Sequence, residues 1–365
     1  MTLSIGERLL QAEDRPSGFD YLRLILATAV FLLHVPVINL GDAVGHKLWL
    51  SWLRPVFAIV LPMFFALSGF LVAGSLVRCK TLISFLGLRV FRIVPALAVE
   101  VLLSALILGP IFTTKPLSEY FSSRSFFTYF LNIAGDVHFN LPGVFADNPH
   151  PSIVNGQLWT VPWELRCYML LAAIAFFGVF RNLFMLVSSI AIICVVALVH
   201  DLIYPPDVWV SVHGIILVEA FIVGVAFFRL KNKIRLSAAL FTLSLTATVA
   251  LLSLPYGDYF VACPAAYVTV YLGLLNPSRN KLLLSGDYSY GIYLYGFPIQ
   301  QAVVAAAPSL SLAIHTIVAL PLTVAFATGS WWLIEKRVLS LRRWLLALEA
   351  YLLNGVERLG GGLPQ

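Results

Sequence analysis

Nothing constrains the fold of this chain more than its succession of apolar runs, each about as long as a helix needs to be to cross a hydrocarbon layer. At 1.5 Å per residue, a layer about 30 Å thick takes roughly 20 helical residues. Hydrophobic residues make up 60% of the sequence and charged residues 12%, against about 25% charged in soluble domains. A water-soluble fold could not hide that much apolar surface. Closed β-barrels are excluded as well, because their strands alternate apolar and polar residues at period two. The composition therefore predicts an all-α, polytopic integral membrane protein with about ten transmembrane helices.

The spans are expected near residues 20–38, 55–76, 93–112, 158–179, 183–200, 209–228, 237–254, 260–275, 288–306 and 312–334. Residues 1–19 are polar, so the first run is read as a retained helix rather than a signal peptide, with the amino terminus in the cytosol. On that placement every Lys and Arg lies on cytosolic segments or helix ends except Lys47, Arg54, Lys115, Arg124 and Arg166. An asymmetry of this kind follows the positive-inside rule and puts both termini in the cytosol of a plasma (inner) membrane protein. It also accounts for the net charge of +6 without any nucleic-acid partner.

The chain divides into a cytosolic segment (1–19), a transmembrane domain (20–335) and a cytosolic tail (336–365). Residues 113–157 form the long polar connection on the outer side. Pro116, Pro142, Pro149 and Pro151 break it, and its apolar piece at 126–134 is too short to cross, which suits a loop with a re-entrant or interfacial segment. Leu339, Trp344, Leu348 and Leu352 alternate with Arg342, Arg343 and Arg358 in the tail, a pattern for an amphipathic helix on the membrane surface or a fraying end. The four cysteines show no CxxC spacing, so neither disulfide nor metal binding is expected.

Polar groups placed where lipid makes them expensive carry the functional signal. His34 falls near the outer end of the first span. A neutral imidazole there could take a proton from an alcohol, or could simply bond a carbonyl or water at a helix end. Arg89 and Arg92, expected at the cytosolic start of the third span, share one helix face by their i, i+3 spacing. Two guanidinium groups so placed can grip phosphates or anchor to lipid headgroups. Glu164, beyond Trp159 at the outer start of the fourth span, suits an internal ion pair, a proton relay or an acceptor contact. Glu100 and Glu219 lie deeper and are expected to be buried in structural pairs. Ser68 and Gly69 suit close helix packing, and Ser289 and Tyr290 suit helix-to-helix bonds or substrate contacts. His138 and His150, in the long polar loop, are expected to be solvated loop residues, with contact to the acceptor as the alternative.

Five blocks together resemble the membrane acyltransferase 3 family, whose members modify glycans. They are the run Phe19 to His34, the run Pro62-Met63-Phe64-Phe65-Ala66-Leu67-Ser68-Gly69-Phe70-Leu71, the stretch Arg89 to Pro95, the stretch Leu158-Trp159-Thr160-Val161-Pro162-Trp163-Glu164, and the run Asp287-Tyr288-Ser289-Tyr290-Gly291-Ile292-Tyr293-Leu294. They occur in the family's order across roughly residues 18–340.

The resemblance implies that His34 is the catalytic base, that Arg89 and Arg92 form the Arg-x-x-Arg motif associated with acyl-CoA, and that Glu164, the carboxylate of the Trp-Ser-Leu-x-x-Glu pattern, is a catalytic residue with His34. Trp159, Ser289 and Tyr290 become candidate substrate contacts. Acetyl-CoA or another acyl-CoA is then the donor, no metal is required, and the partners are membrane lipids and a glycan or glycolipid acceptor. Thr160 and Pro162 depart from the pattern. Tyr295-Gly296-Phe297-Pro298 also lacks the histidine that often precedes this proline, so no second base is expected in that helix. A secondary transporter or exporter of a glycan is the alternative, although corresponding helix breaks in two halves are not evident.

Overall fold

A computed structural model describes residues 3–204, 212–280, 284–342, 344–347 and 349. The described residues are helical throughout, without a β-strand; two isolated bridges join Ser4 to Arg235 and Thr113 to Val144. The helices that matter here are α1 (Ile5–Gln11), α2 (Gly18–Leu40), α3 (Asp42–Trp49), α4 (Val60–Arg78), α5 (Leu82–Leu103), α6 (Val161–Phe176), α7 (Leu183–Ile203), α8 (Gly214–Arg229), α9 (Ala238–Leu252), α10 (Ala262–Gly273), α11 (Ser289–Ala306) and α12 (Leu312–Ser330). Most of the amphipathic stretch expected at 338–359 lies outside the described residues.

A helix occupies each of the ten stretches read as spans. Five are long and apolar enough to cross a membrane: Gly18–Leu40, Arg54–Arg78, Leu82–Phe112, Leu183–His200 and Leu312–Ala347. The others fall short in length or in hydropathy. Around Thr160 the chain enters α6 through a tight 3-10 turn, Gly156–Thr160, which leaves 16 residues of α-helix.

The third span differs from its expected start. Thr81 caps α5 by accepting the Ser84 N–H at 3.1 Å, so the helix begins a full three turns before residue 93. Arg89 and Arg92 therefore lie within the helix rather than at its beginning. A π-turn at Ser104–Leu108 carries it on to Gly109–Phe112, giving 31 residues in all.

α8 is the hub. Every residue from Ile216 to Phe227 is buried, as expected of a helix that is apolar on all sides. It packs against α4, α6, α7 and α10. The α4 contact is closest because each helix offers a glycine to the other's backbone: a Cβ on Gly69 would lie 1.9 Å from the Phe221 carbonyl oxygen, and one on Gly224 would lie 2.2 Å from that of Ala66. Small residues let membrane helices approach in this way. On the other flank, α11 packs against α2 and α12.

The connection after α5 is more structured than a polar loop. It forms short helices at Leu117–Ser122 and Arg124–Tyr129 and a 3-10 turn at Phe130–Ala134, with Tyr120, Phe126 and Tyr129 buried. Glu100 holds this layer to α5, accepting hydrogen bonds from Ser104 at 2.7 Å and from Asn155 at 3.0 Å. The expected structural pairing is thus seen for Glu100. It is not seen at Glu219, whose buried Oε2 has no hydrogen-bond partner among the described residues.

Candidate active site

Two cavities lie inside the bundle. One, of about 400 Å³, is lined by Arg23, Arg78, Arg89, Arg92, Glu164 and Tyr168 among others. The second, of about 320 Å³, is lined by His34, Asp42, His46, Trp159, His150 and Phe297 among others. Leu61, Thr160 and Tyr293 line both. Arg23 and His34, on the same helix α2, belong to different cavities and stand roughly 16 Å apart along its axis at 1.5 Å per residue.

In the arginine cavity the two motif arginines are held differently. Arg92 donates to Asp287 at 2.7 Å and to Glu335 at 3.2 Å, and its guanidinium lies 5.6 Å from the Tyr290 ring centre. A π-turn at Trp331–Glu335, at the end of α12, delivers Glu335. Asp287 also meets Arg23 at 3.4 Å and accepts the Ser289 hydroxyl at 2.6 Å and the Ser289 N–H at 3.2 Å. Burial alone would raise the Asp287 carboxyl, but Arg92, Arg23 and the two Ser289 bonds outweigh it and hold it down at about 2.

Arg89 has no such carboxylate among the described residues. It donates to Ser75 Oγ at 3.2 Å, stacks 5.9 Å from the Tyr168 ring centre, and keeps a buried Nε with no hydrogen-bond partner. An incompletely satisfied guanidinium facing a cavity suits an anionic ligand.

The structure brings Glu164 together with Arg89 rather than with His34. Glu164 accepts a short hydrogen bond from the Tyr168 hydroxyl, which also lies 3.5 Å from Ser68 Oγ. Ser289 and Tyr290 line this same cavity; Ser289, the first residue of α11, donates its N–H and hydroxyl to Asp287, and Tyr290 donates to the Ile93 carbonyl at 3.1 Å. Trp159 lies in the other cavity, with His34.

The histidine cavity holds more than the sequence reading assigned to it. His34 sits edge-on to Phe297, with ring centres 5.1 Å apart. His150, expected to be a solvated loop residue, is instead 9% exposed and bonded through Nδ1 to Asp42 at 2.5 Å. Its position depends on Gln301, a buried residue of α11 distant in sequence, so no local pattern announced it. Among the described residues, no group of His, Cys, Asp and Glu is arranged to hold a metal ion.

The described residues thus form an apolar helical bundle, with helices long enough to cross a membrane, around an arginine-lined and a histidine-lined cavity. The family model described as an acyltransferase domain (acyltransferase 3) matches residues 17–336, so the chain belongs to the acyltransferase 3 family and is an acyltransferase. It is 29% identical over 339 residues to an "O-acetyl transferase" of Shigella phage Sf6, covering 88% of this chain and 96% of that protein. It is 30% identical over 371 residues to "Nodulation protein 10" of Rhizobium leguminosarum bv. viciae, covering 91% and 95%. No solved structure matches the chain.

Proposed function

We propose that the protein is a multi-pass O-acyltransferase of the plasma (inner) membrane that moves an acyl group, acetyl in the first instance, from cytosolic acyl-CoA to a hydroxyl of an extracytoplasmic glycan or glycolipid. One observation carries this reading: the arginine cavity and the histidine cavity meet at Leu61, Thr160 and Tyr293. Acyl-CoA cannot cross lipid because its nucleotide end is multiply charged, and the acceptor is on the other side. Two chambers back to back answer that separation. The printed name of the phage relative supports acetyl as the group transferred.

In this reading Arg89 takes a CoA phosphate, with Arg92, Arg23 and Arg78 supplying positive field around it. Arg92 is held in place by Asp287 and Glu335. Glu164 bonds Tyr168, whose ring lies beneath the Arg89 guanidinium, so it orients the donor grip from the donor side. The pantetheine arm runs toward Thr160 and Tyr293 and brings the thioester to the edge of the histidine cavity. His34 is the base there. It draws the proton from the acceptor hydroxyl as the C–O bond forms and the C–S bond breaks, and CoA leaves as the thiolate. Ser289 and Tyr290 belong to the donor side, Trp159 to the acceptor side.

The test is purified protein in membrane vesicles given labelled acetyl-CoA and the surface polysaccharide of the producing cell, stripped of its O-acyl groups with alkali. CoA-dependent label on the polysaccharide is the expected result. Uptake of the polysaccharide without label would replace the enzyme by a transporter.

A further inference from the structure

The loop carrying His150 is built into the histidine cavity from three directions. Gln301 donates to the carbonyls of His150 and Ile153, at 2.8 Å each. Asn148 donates to the Gln301 side chain at 2.7 Å and to its carbonyl at 3.0 Å. At the other contact, Gly41 has φ +84, and a Cβ there would stand 2.9 Å from the Pro149 carbonyl oxygen; only glycine takes that backbone and that approach without strain. The loop is therefore fixed by its backbone, and the Asp42–His150 bond is not needed to hold it.

What that bond does is set the imidazole. In the tautomer that donates Nδ1–H to Asp42, at the start of α3, the His150 Nε2 is left to accept a hydrogen bond. Asp42 also keeps a second carboxylate oxygen, and its side chain is 41% exposed against 11% for His150. Both residues line the cavity of His34. Phe297 touches both histidines, its ring centre 5.1 Å from that of His34 and 5.9 Å from that of His150. Trp49 and Trp159 line the same space, and the electron-rich face of an aromatic ring suits the C–H face of a sugar.

We propose that Asp42 and His150 form the acceptor-anchoring pair, holding a sugar hydroxyl adjacent to the one from which His34 draws its proton. This rests on the reading of the histidine cavity as the acceptor chamber. A pair of acceptors, one imidazole nitrogen and one carboxylate oxygen, matches the pair of donors that neighbouring hydroxyls offer. At about 320 Å³ the cavity is at the small end of ligand pockets, roughly 300–1,000 Å³, so it takes a single sugar ring rather than a longer stretch of chain. Asp42 and His150 thus select the acceptor, and His34 does the chemistry.

The experiment uses the full chain in membrane vesicles with labelled acetyl-CoA, and the alkali-treated polysaccharide of the producing cell as the varied substrate. His150→Ala and the isosteric Asp42→Asn are expected to raise KM for the polysaccharide at least about tenfold while leaving KM for acetyl-CoA unchanged, since about 1.4 kcal/mol per lost contact is a factor of ten. His34→Ala should lower kcat instead. If both variants keep KM for the polysaccharide within about twofold, or raise both KM values together, the pair does not anchor the acceptor, and the acyltransferase reading stands. If the wild type labels no polysaccharide, that reading itself falls, and this inference with it.

Discussion

Thr160 Oγ1 lies 2.5 Å from the hydroxyl of Tyr293, and the two side chains form the wall between the cavities. The Tyr293 hydroxyl donates its single proton to the Gln157 carbonyl in a short bond. It must therefore accept from Thr160. Gln157 is in turn bonded to the Leu294 carbonyl at 2.7 Å, so the wall joins the entry to α6 to the middle of α11. On the proposed mechanism, such a wall would keep water on the acceptor side from the thioester until an acceptor arrives. Tyr293→Ala should raise acetyl-CoA hydrolysis by about tenfold while lowering transfer to polysaccharide, and Tyr293→Phe, which keeps the ring, should change hydrolysis far less. Free CoA release with and without acceptor is the measurement; equal hydrolysis in all three proteins would mean that the cavities are not joined there.

Arg89 is the sharper test of donor binding. Lysine keeps the charge at this position but loses the planar fork, so Arg89→Lys should bind CoA more weakly and Arg89→Ala more weakly still. Loss of a charge-assisted bond worth about 1.5–3 kcal/mol corresponds to roughly a 10- to 150-fold rise in Kd. Calorimetry with CoA on detergent-solubilised protein reads this directly. Unchanged affinity in both variants would return Arg89 to a lipid-anchoring role.

Arg92 should behave differently because it is already paired. Removing it leaves Glu335, whose side chain is 3% exposed, with the Ser330 hydroxyl but without its cation, and leaves Asp287 with Arg23 and Ser289. Arg92→Ala is thus expected to cost about 3 kcal/mol of stability, the lower end for breaking a buried pair, and Glu335→Gln in the same chain should restore part of it. The pH dependence follows from Asp287. Its folded pKa of about 2 lies below the ordinary 3.8, so its contribution is fully present above about pH 4 and is lost as the pH falls toward 2. Thermal unfolding in detergent should show this contribution undiminished between about pH 5 and 8; a loss of its stabilisation inside that window would contradict the pairing.

His34→Ala should abolish transfer while the protein still accumulates and still binds CoA, because His34 lines the other cavity from Arg89. Labelled polysaccharide and CoA affinity are read on the same preparation. Near-normal transfer would remove His34 from the chemistry.

The parts of this fold legible in the sequence are those written in local pattern. Apolar runs located the helices, and Gly69 announced the close α4 contact, whereas Ser68, read the same way, lines the arginine cavity. Where α5 begins was missed because its start depends on the Thr81 cap rather than on hydropathy. The site was legible only by residue type. Arg92, Asp287 and Glu335 meet across more than 190 residues of chain, and such a meeting leaves no periodicity to read. His150 was misjudged for the same reason: a histidine between prolines in a polar loop reads as solvated, and only the buried Gln301 of α11 turns it inward. Glu164 lines the cavity of Arg89 and not that of His34, which its sequence position did not reveal, since spacing along a helix does not say which cavity a side chain lines.

Sidedness is the remaining prediction, and the two cavities make it specific. The positive-inside distribution puts the loop at Lys80 in the cytosol and the loop at Asn140 outside. Lys80 follows α4, whose last turn brings Arg78 to the arginine cavity, while residues 138–153 lead to His150 in the histidine cavity. The charge rule and the chemistry thus demand the same orientation: donor grip inside, acceptor chamber outside. Cys79, Cys167, Cys194 and Cys263 are free thiols and are first replaced by serine, or by alanine where buried. Single cysteines at 80 and 140 are then labelled from each face of intact cells with an impermeant maleimide. Residue 140 should react in intact cells and residue 80 only after permeabilisation. If residue 80 reacts from outside and residue 140 does not, the arginine cavity faces away from the cytosolic CoA pool, and the proposed direction of transfer is wrong.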